Sequence, residues 1–318
     1  MTNLVTLDEL REAHKRVTGA VVRTPLLPCP HGDADRPLWL KPESLQPIGA
    51  FKLRGAHNLI ASLTDEERAR GVVAHSSGNH AQAVAYTARR FGIRAVIVMP
   101  DTAPAVKVDA TRALGAEIVL VPPDRRDTAA FELADEHGYT TVPPYDDRRI
   151  IAGQGTVGLE IAKDLPDAST VLVPVSGGGL ISGIATAVKL LRPDTKVIGV
   201  EPELAADAAE SLRTGVRTTW TSEATYRTIA DGLRTTSLGE LPFAHVRQYV
   251  DDIVTVTEDQ IRAAVRFLGR SARLVAEPSG AVSTAAYLFR RDALPPGRDH
   301  VAVVSGGNVD PALYAQLI

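Results

Sequence analysis

The feature that most limits the fold of this 318-residue chain is a repeated alternation of short apolar runs with helix-like segments. Four runs in the first half are typical of buried strands: residues 72–74, 95–99, 117–121 and 139–142. The segments between them have a helical spacing of apolar residues, over residues 79–90, 104–115 and 127–137. Strands that alternate with helices favour parallel sheets with right-handed crossovers. The sequence therefore predicts an α/β fold.

The alternation stops once, at residues 143–149 (Pro-Pro-Tyr-Asp-Asp-Arg-Arg), a composition typical of a linker. It resumes with strand-like runs at residues 170–175, 196–200 and 301–304. Helices are predicted over residues 180–191, and from a capping box at residues 257–260 to about residue 269. Residues 215–248 have weak periodicity, and no element is predicted there. The four predicted strands before the break are expected to form a compact unit.

Charge and cysteine content exclude several classes of protein. Lysine plus arginine number 35 and aspartate plus glutamate 38, a net charge of −3 that gives no electrostatic reason to bind nucleic acid or an anionic membrane. The single cysteine, Cys29, cannot form an internal disulfide, which is typical of a reducing compartment. Asp8 and Glu9 interrupt any signal-peptide core, and no apolar run approaches the ~20 residues that span a bilayer. We expect a cytoplasmic protein without nucleic-acid or membrane partners.

One lysine has unusual surroundings. The chain has seven lysines against 28 arginines, and Lys52 lies among small and apolar residues in the run 49–56 (Gly-Ala-Phe-Lys-Leu-Arg-Gly-Ala). Desolvation lowers the pKa of a lysine and frees its amine as a nucleophile, which a Schiff base requires. The alternative is a surface lysine at the start of a helix, which this motif alone does not exclude.

Two loops at predicted strand-to-helix transitions suggest anion binding. Residues 75–80 (His-Ser-Ser-Gly-Asn-His) combine hydroxyls, an amide and free N–H groups that can hold a carboxylate, although Ser and Asn are also ordinary N-cap residues. Residues 176–179 (Ser-Gly-Gly-Gly) contain three consecutive glycines. That is more than a tight turn needs, so the run favours phosphate.

The same glycines permit another interpretation. Gly177, Gly179 and Gly183 precede Glu201, which lies 22 residues after Gly179, an arrangement similar to a dinucleotide-binding unit with its ribose-binding acid. It would indicate an NAD-dependent dehydrogenase, but the spacing is GxGxxxG rather than GxGxxG. A literal GxGxxG at residues 153–158 has no strand before it, and we interpret it as a chance match.

Two further motifs can carry chemistry. Ser305 follows the last predicted strand and could offer a hydroxyl to a heteroaromatic nitrogen, or could simply lie in a turn. Glu201 and Asp207, with one backbone carbonyl, could bind Mg²⁺ or Ca²⁺. A solvated acidic helix start is the alternative for these two acids.

Together these motifs resemble the fold-type II pyridoxal-phosphate (PLP) enzymes, in the branch of serine/threonine dehydratases and serine racemases. The resemblance extends over about residues 10–310, with four motifs in the family's order. It implies two open parallel-sheet α/β domains with the active site between them. Residues 1–65 and 146–318 would form the large cofactor-binding domain, and residues 66–145 the small domain.

The resemblance also assigns roles to single residues. Lys52 would hold PLP as a Schiff base and act as a catalytic base, and Ser77 would be the second catalytic group. The residues it assigns to the cofactor are Phe51, Lys52, Asn79, Ser176, Gly177, Gly178, Gly179, Leu180 and Ser305. Those it assigns to the substrate are Ser76, Ser77, Asn79 and His80. Those it assigns to a divalent cation (Mg²⁺, Ca²⁺ or Mn²⁺) are Glu201, the Ala205 carbonyl and Asp207.

The function that this resemblance implies is an ammonia-lyase, or dehydratase. It would convert L-threonine, L-serine or a related 3-hydroxy amino acid to a 2-keto acid and ammonia, as a homodimer. Serine racemase is the alternative, and an NAD-dependent dehydrogenase the lower one. Phe131 stands near the position where racemases of the animal type carry an arginine. This departure favours elimination over racemisation and makes an acidic substrate less expected.

Overall fold

The computed structural model describes residues 4–318, which form two sheets enclosed by helices. The strands are β1 (Leu27–Asp33), β2 (Arg36–Pro42), β3 (Val72–His75), β4 (Ala95–Pro100), β5 (Glu117–Val121), β6 (Thr140–Thr141), β7 (Thr170–Pro174), β8 (Lys196–Pro202), β9 (Asp252–Val256) and β10 (His300–Val304). The helices are α1 (Leu7–Val17), α2 (Lys52–Ala61), α3 (Asp65–Arg70), α4 (Asn79–Phe91), α5 (Ala105–Ala113), α6 (Arg126–His137), α7 (Arg148–Asp164), α8 (Gly179–Leu191), α9 (Asp207–Thr214), α10 (Ser222–Thr225), α11 (Glu240–Tyr249), α12 (Glu258–Phe267), α13 (Pro278–Phe289) and α14 (Pro311–Leu317). No helix among them is long and apolar enough to cross a membrane.

Both sheets are built from parallel strands. The six-stranded sheet has the order β1-β2-β10-β7-β8-β9, in which only the β1–β2 hairpin at the edge is antiparallel. The four-stranded sheet has the order β5-β4-β3-β6 and is parallel throughout. Alternate strand residues enter different apolar cores, so both faces of each sheet are covered. The predicted α/β fold class is confirmed.

Helix α2 lies between two parts of the molecule. We call the four-stranded sheet with α4, α5 and α6 the small unit, and the rest of the described chain the large unit. Leu53 and Ile60 of α2 pack in the same apolar core as Val84 of α4. On the side of α7, a Cβ on Gly55 would lie 3.0 Å from the Ile150 carbonyl oxygen. Helix α2 therefore contacts the small unit through side chains. On its other side, its backbone lies almost directly against that of α7.

The GxGxxG match at residues 153–158 lies inside α7 and serves helix packing. A Cβ on Gly153 would lie 2.6 Å from the Gly55 Cα of α2. On Gly155 it would lie 2.8 Å from the Gly183 carbonyl oxygen of α8. These distances are too short for any side chain, so the glycines allow three helices to pack closely. The interpretation of this match as chance is confirmed, because no strand-to-helix turn is present.

Most predicted elements lie within two residues of the observed ones, and the capping box at Thr257 and Gln260 is formed. The linker prediction was wrong for its last two residues, because α7 begins at Arg148. The Asp147 side chain caps this helix by accepting the N–H groups of Arg149 and Ile150. Strand β6 is shorter than the predicted run, and α10 and all but the last residue of α11 lie in residues 215–248, where no element was predicted.

Candidate active site

The predicted site residues gather at one edge of the sheets. The loops that carry most of them follow the carboxyl ends of parallel strands, at residues 43–51 after β2, 76–78 after β3, 175–178 after β7 and 305–310 after β10. Ligands of open α/β sheets bind at this edge. The first and last of these loops are joined directly, because the Phe51 N–H donates to the Ser305 carbonyl oxygen over 3.0 Å.

Lys52 is the first residue of α2, and its side chain is half-buried. Its Nζ donates to the Pro144 carbonyl oxygen over 2.6 Å and lies 5.2 Å from the centroid of the Phe51 ring. Burial lowers the pKa of Lys52 to about 8. An amine with this pKa is partly neutral near physiological pH and can act as a nucleophile or a base. The surface-lysine alternative is therefore not favoured.

The loop after β3 leads into α4, which begins at Asn79 without a side-chain cap. Ser76 Oγ accepts the Gly78 N–H over 3.2 Å, and the side chains of Ser76 and Ser77 are half-buried. Uncapped N–H groups at the start of a helix attract anions, since the helix dipole is positive there. This loop can therefore hold a carboxylate without a charged side chain.

His80 is buried in the first turn of α4. Its Nε2 lies 2.8 Å from the Val142 carbonyl oxygen, and its Nδ1 has no hydrogen-bond partner within residues 4–318. Burial, and secondarily the charge of Lys52, lowers the pKa of His80 to about 3, so the ring is neutral. A carbonyl oxygen only accepts, so Nε2 carries the proton and Nδ1 offers a lone pair. His80 can therefore accept a hydrogen bond but does not bind a carboxylate as a cation.

The glycine run after β7 ends in helix α8. Gly178 is its N-cap residue with a φ of +89°, and the helix has no side-chain cap. Its first N–H groups therefore have no partner within the helix. Ser176 Oγ lies 2.6 Å from Thr235 Oγ1 beside them. Backbone N–H groups and hydroxyls at the start of a 13-residue helix fit a phosphate.

Tyr145 packs directly on this glycine run, and no sequence pattern had singled it out from the rest of the predicted linker. A Cβ on Gly177 would overlap the Tyr145 ring, and one on Gly179 would lie 2.9 Å from the Tyr145 Cβ. Burial raises the pKa of Tyr145. Because Pro144 accepts the hydrogen bond of Lys52, this segment touches both the lysine and the glycine run.

Asn79 links the small unit to two further residues that were not predicted as site residues. Its Nδ2 donates to Glu277 Oε1 over 2.7 Å, and its Oδ1 accepts from Asn308 Nδ2 over 2.8 Å. A sequence signal existed for Asn308, which lies three residues after Ser305, whereas Glu277 lies in the run 276–280 (Ala-Glu-Pro-Ser-Gly), to which no role was assigned. Through Asn308, which also donates to the Ile48 carbonyl oxygen, Asn79 is connected to the loop that precedes Lys52.

Phe131, which stands near the position where racemases of the animal type carry an arginine, lies on α6, the helix that begins at Arg126. Phe131 is 53% exposed, with its ring centroid 6.3 Å from that of His75. Arg126, at the start of α6, donates from Nε to Asp127 Oδ1 over 2.7 Å, and Asp127 also pairs with His75 Nδ1 at 3.0 Å. Hydrogen bonding from His75 holds the pKa of Asp127 below its usual range. The charge of Arg126 also acts on Tyr145, the residue that packs on the glycine run.

The predicted cation ligands lie apart from the four loops, at the end of β8 and the start of α9. Glu201 is fully buried, and its two oxygens accept the N–H groups of Ala208 and Ala209 over 3.2 and 2.8 Å. Asp207 is also buried, and its Oδ2 has no partner within residues 4–318. Burial raises the pKa of Asp207 to about 7 and that of Glu201 well above its usual value. No cluster of three or more His, Cys, Asp or Glu side chains in the described chain could hold a metal.

The loops together fit pyridoxal phosphate. They offer a lysine of lowered pKa beside an aromatic ring, an uncapped glycine-rich helix start for the phosphate, and a buried serine after β10, Ser305 at 4% exposure. The family model described as "Pyridoxal-phosphate dependent enzyme" matches residues 17–306. The chain belongs to this family.

Individual members of the PLP-dependent family resemble the chain over nearly its whole length. An L-threonine ammonia-lyase of Thermotoga maritima is 44% identical over 99% of this chain and 78% of that protein. An L-threo-3-hydroxyaspartate ammonia-lyase of Saccharomyces cerevisiae is 40% identical over 98% of this chain and 96% of that protein. The structure of maize serine racemase superposes with a TM-score of 0.94 at 38% identity, covering 99% of this chain and 97% of that one.

Membership of the PLP-dependent family makes PLP the cofactor and supersedes the dehydrogenase alternative. The βαβ unit that suggested a dehydrogenase is present as β7, α8 and β8. However, both carboxylate oxygens of Glu201 already accept backbone hydrogen bonds, which leaves this acid poorly placed to bind a ribose.

Proposed function

We propose that the chain is a PLP-dependent ammonia-lyase that converts L-threonine, L-serine or a related 3-hydroxy amino acid to a 2-keto acid and ammonia. The observation that carries this proposal is Lys52, a half-buried lysine with a pKa lowered to about 8 at the edge where the site loops meet. The similarity to the threonine ammonia-lyase of T. maritima supports the substrate class.

Each site residue then has a task. Lys52 would bind the cofactor and remove the α-proton, because its lowered pKa leaves a fraction of the amine neutral at physiological pH. The start of α4, with Ser76, Ser77 and Asn79, would hold the substrate carboxylate, and the lone pair of His80 Nδ1 would accept a hydrogen bond from a donor such as bound water. When bound, the cofactor supplies an electron sink for the α-carbanion.

The remaining predicted residues would hold the cofactor. Residues 176–180 would bind the phosphate at the start of α8, where the N–H groups are uncapped. Phe51 would pack on the ring, Asn79 would meet the ring oxygen, and Ser305 would face the ring nitrogen. A neutral serine partner would leave that nitrogen unprotonated, which suits elimination over transamination.

A spectrum and a substrate panel test this function. The purified protein is expected to have a visible absorption band that borohydride abolishes. With either L-threonine or L-serine, one mole of ammonia is expected for each mole of 2-keto acid. A protein with the band but without keto-acid formation from any 3-hydroxy amino acid would refute the ammonia-lyase proposal while leaving the family membership intact.

A serine racemase is the second candidate, favoured by the similarity to the maize enzyme and by the hydroxyl of Ser77 in the loop before α4. Ser77→Ala is expected to remove D-serine formation while keeping at least about half of L-threonine elimination, because only racemisation needs a second acid/base group. Chiral chromatography measures D-serine formation, and an assay of the 2-keto acid measures L-threonine elimination. Wild-type protein that forms D-serine faster than pyruvate would make racemisation the main activity.

The substrate panel should also include an amino acid with a second carboxylate. The relative from S. cerevisiae is named for L-threo-3-hydroxyaspartate, and Arg126 at the start of α6 is a cation whose charge acts on Tyr145 beside the glycine run. If Arg126 recognises that carboxylate, Arg126→Met should raise KM for 3-hydroxyaspartate while leaving KM for L-threonine nearly unchanged. Equal changes for both substrates would exclude this role.

We also propose a divalent cation, Mg²⁺, Ca²⁺ or Mn²⁺, at Glu201, Asp207 and the Ala205 carbonyl. Two buried carboxylates with raised pKa values, one of them with an unpartnered oxygen, are the chemistry that a hard cation stabilises. EDTA is expected to lower the melting temperature, because a ligand that binds only the native state adds to its stability. Glu201→Gln should abolish that response, and an unchanged melting temperature in EDTA would argue against the site.

We also propose a domain division and an oligomeric state for the protein. The division into a small domain of residues 66–145 and a large domain of the remaining chain is supported by the separate sheets. Association as a homodimer is supported by exposed apolar side chains such as Leu45 and Val275, which a partner subunit would cover. Light scattering that gives about 33.9 kDa, the mass of one chain, would exclude the dimer.

A further inference from the structure

Two segments of the large unit have no task in the proposed reaction, yet both contact the small unit. Glu277 accepts the hydrogen bond of Asn79 Nδ2 over 2.7 Å. Asp231 forms an ion pair with Lys107 of α5 over 2.6 Å. The first contact is internal, since Glu277 is 5% exposed, whereas the side chains of the second pair are 34% and 41% exposed. Only the internal contact involves a proposed cofactor residue.

We propose that Glu277 is a positioning residue that, together with Asn308, fixes the orientation of the Asn79 carboxamide so that Asn79 acts as a hydrogen-bond donor toward the cofactor. This inference rests on the proposed function, in which Asn79 meets the ring oxygen. It assigns a task to Glu277, a residue to which the sequence alone gave no role.

The orientation follows from a chain of hydrogen bonds that begins at a backbone carbonyl. The Ile48 carbonyl oxygen can only accept, so the group of Asn308 that lies 2.7 Å away must be Nδ2. The same Nδ2 donates to Asn79 at 2.8 Å, so the Asn79 atom there must be Oδ1. Asn79 Nδ2 therefore faces Glu277. One of its two hydrogens is used in that bond, and the other remains available to a ligand.

The backbone around Glu277 is built to fit this contact. The Glu277 N–H donates to the Gly306 carbonyl oxygen over 3.1 Å, which ties the start of α13 to the loop after β10. A Cβ on Gly306 would overlap Glu277 Oε1 and lie 3.2 Å from Asn79 Nδ2. Residue 306 must therefore be glycine for the two side chains to meet, so the contact is specified by more than the two residues that make it.

The protonation state of Glu277 does not change the direction of these hydrogen bonds. Burial, assisted by the charge of Asp231 and opposed by Asn79 and Lys107, raises the pKa of Glu277 to about 8. The side chain is therefore mostly protonated at neutral pH. Because Oε1 must accept from Asn79, the proton lies on Oε2. Ionisation above pH 8 strengthens the bond that Asn79 donates and leaves its orientation the same.

The test compares cofactor affinity and spectrum among matched variants. Glu277→Ala removes the acceptor and frees the amide, so PLP is expected to bind roughly tenfold more weakly, with a shifted absorption maximum. Glu277→Gln keeps an acceptor oxygen and should bind PLP within about threefold of the wild type. Titration of the cofactor-free protein with PLP, followed by fluorescence, measures both, and thermal melting checks that the variants fold.

Lys107→Met is the control, because it breaks the exposed contact between the same two units without touching Asn79. It is expected to leave PLP affinity and the spectrum unchanged. An equal loss in Lys107→Met, or wild-type binding in Glu277→Ala, would overturn the inference. If Glu277→Ala does not fold, Asn308→Ala removes the other partner of the amide and must give the same weaker binding. Wild-type protein that forms no borohydride-stable PLP adduct would refute the assignment of Lys52 itself, which is a separate failure.

Discussion

Lys52→Ala is expected to reduce keto-acid formation from L-threonine or L-serine by about 10³-fold or more, since it removes a nucleophile and a general base together. The physical reason is the position of the amine. Burial lowers its pKa to about 8, and the Pro144 carbonyl oxygen holds it in place from 2.6 Å away. No other lysine of the described chain lies in the loops that form the site.

The attachment point is checked separately from the rate. Mass spectrometry of the borohydride-reduced wild-type protein should find the PLP adduct on Lys52 alone. Lys15→Ala, which removes an exposed lysine of α1, serves as the control and should keep both the adduct and the activity. An adduct on a different lysine would contradict the assignment even if Lys52→Ala were inactive.

Arg54→Met is expected to destabilise the fold by about 3–5 kcal/mol, because it leaves two buried carboxylates without their main partner. The side chains of Arg54 and Glu43 are fully buried, and that of Glu160 is 2% exposed. Arg54 donates to Glu43 over 2.7 and 2.8 Å and to Glu160 over 2.7 and 2.9 Å. Lys41 completes the cluster with a 2.6 Å ion pair to Glu160.

The pKa values of Glu43 and Arg54 move in the directions that favour their charged forms, lowered for the acid and raised for the base. Burial alone would raise the pKa of Glu43, but the Arg54 guanidinium overrides it and holds the pKa below its usual value. Thermal melting should show a fall of roughly 10 °C in Arg54→Met. Arg94→Met is the matched control, since Arg94 also binds Glu117 through two hydrogen bonds but on the surface. A comparable fall in both variants would show that burial is not the cause.

The sequence predicts the site well where chemistry and local structure coincide. Gly178 needs its positive φ to enter α8, and Lys52 needs apolar neighbours for a lowered pKa, so both positions carry a visible local signal. The strands are predicted for the same reason, since continuous burial on two faces requires continuous apolar runs.

The residues that sequence analysis missed act through partners distant in the chain. Tyr145 belongs to the site because its ring rests on Gly177, and Glu277 because it reaches Asn79 at a separation of 198 residues. Arg126 lies five residues before Phe131, and its charge acts on Tyr145, a neighbour that sequence position alone does not reveal. Helix α7 was missed because its glycines weaken the helical pattern, although they are what allows it to pack on α2 and α8.

The contacts on the two sides of α2 differ in how easily they can deform. Toward α4 the contact is a layer of side chains such as Leu53 and Ile60, and helices packed in this way can move by small shear displacements. Toward α7 the contact is backbone against backbone, at Gly55 and Gly153, and has no such layer to deform. Any movement of the small unit relative to the large unit would therefore take place at the contact between α2 and the small unit. The lysine would stay stationary with the glycine run, while the loop before α4 moved toward and away from it.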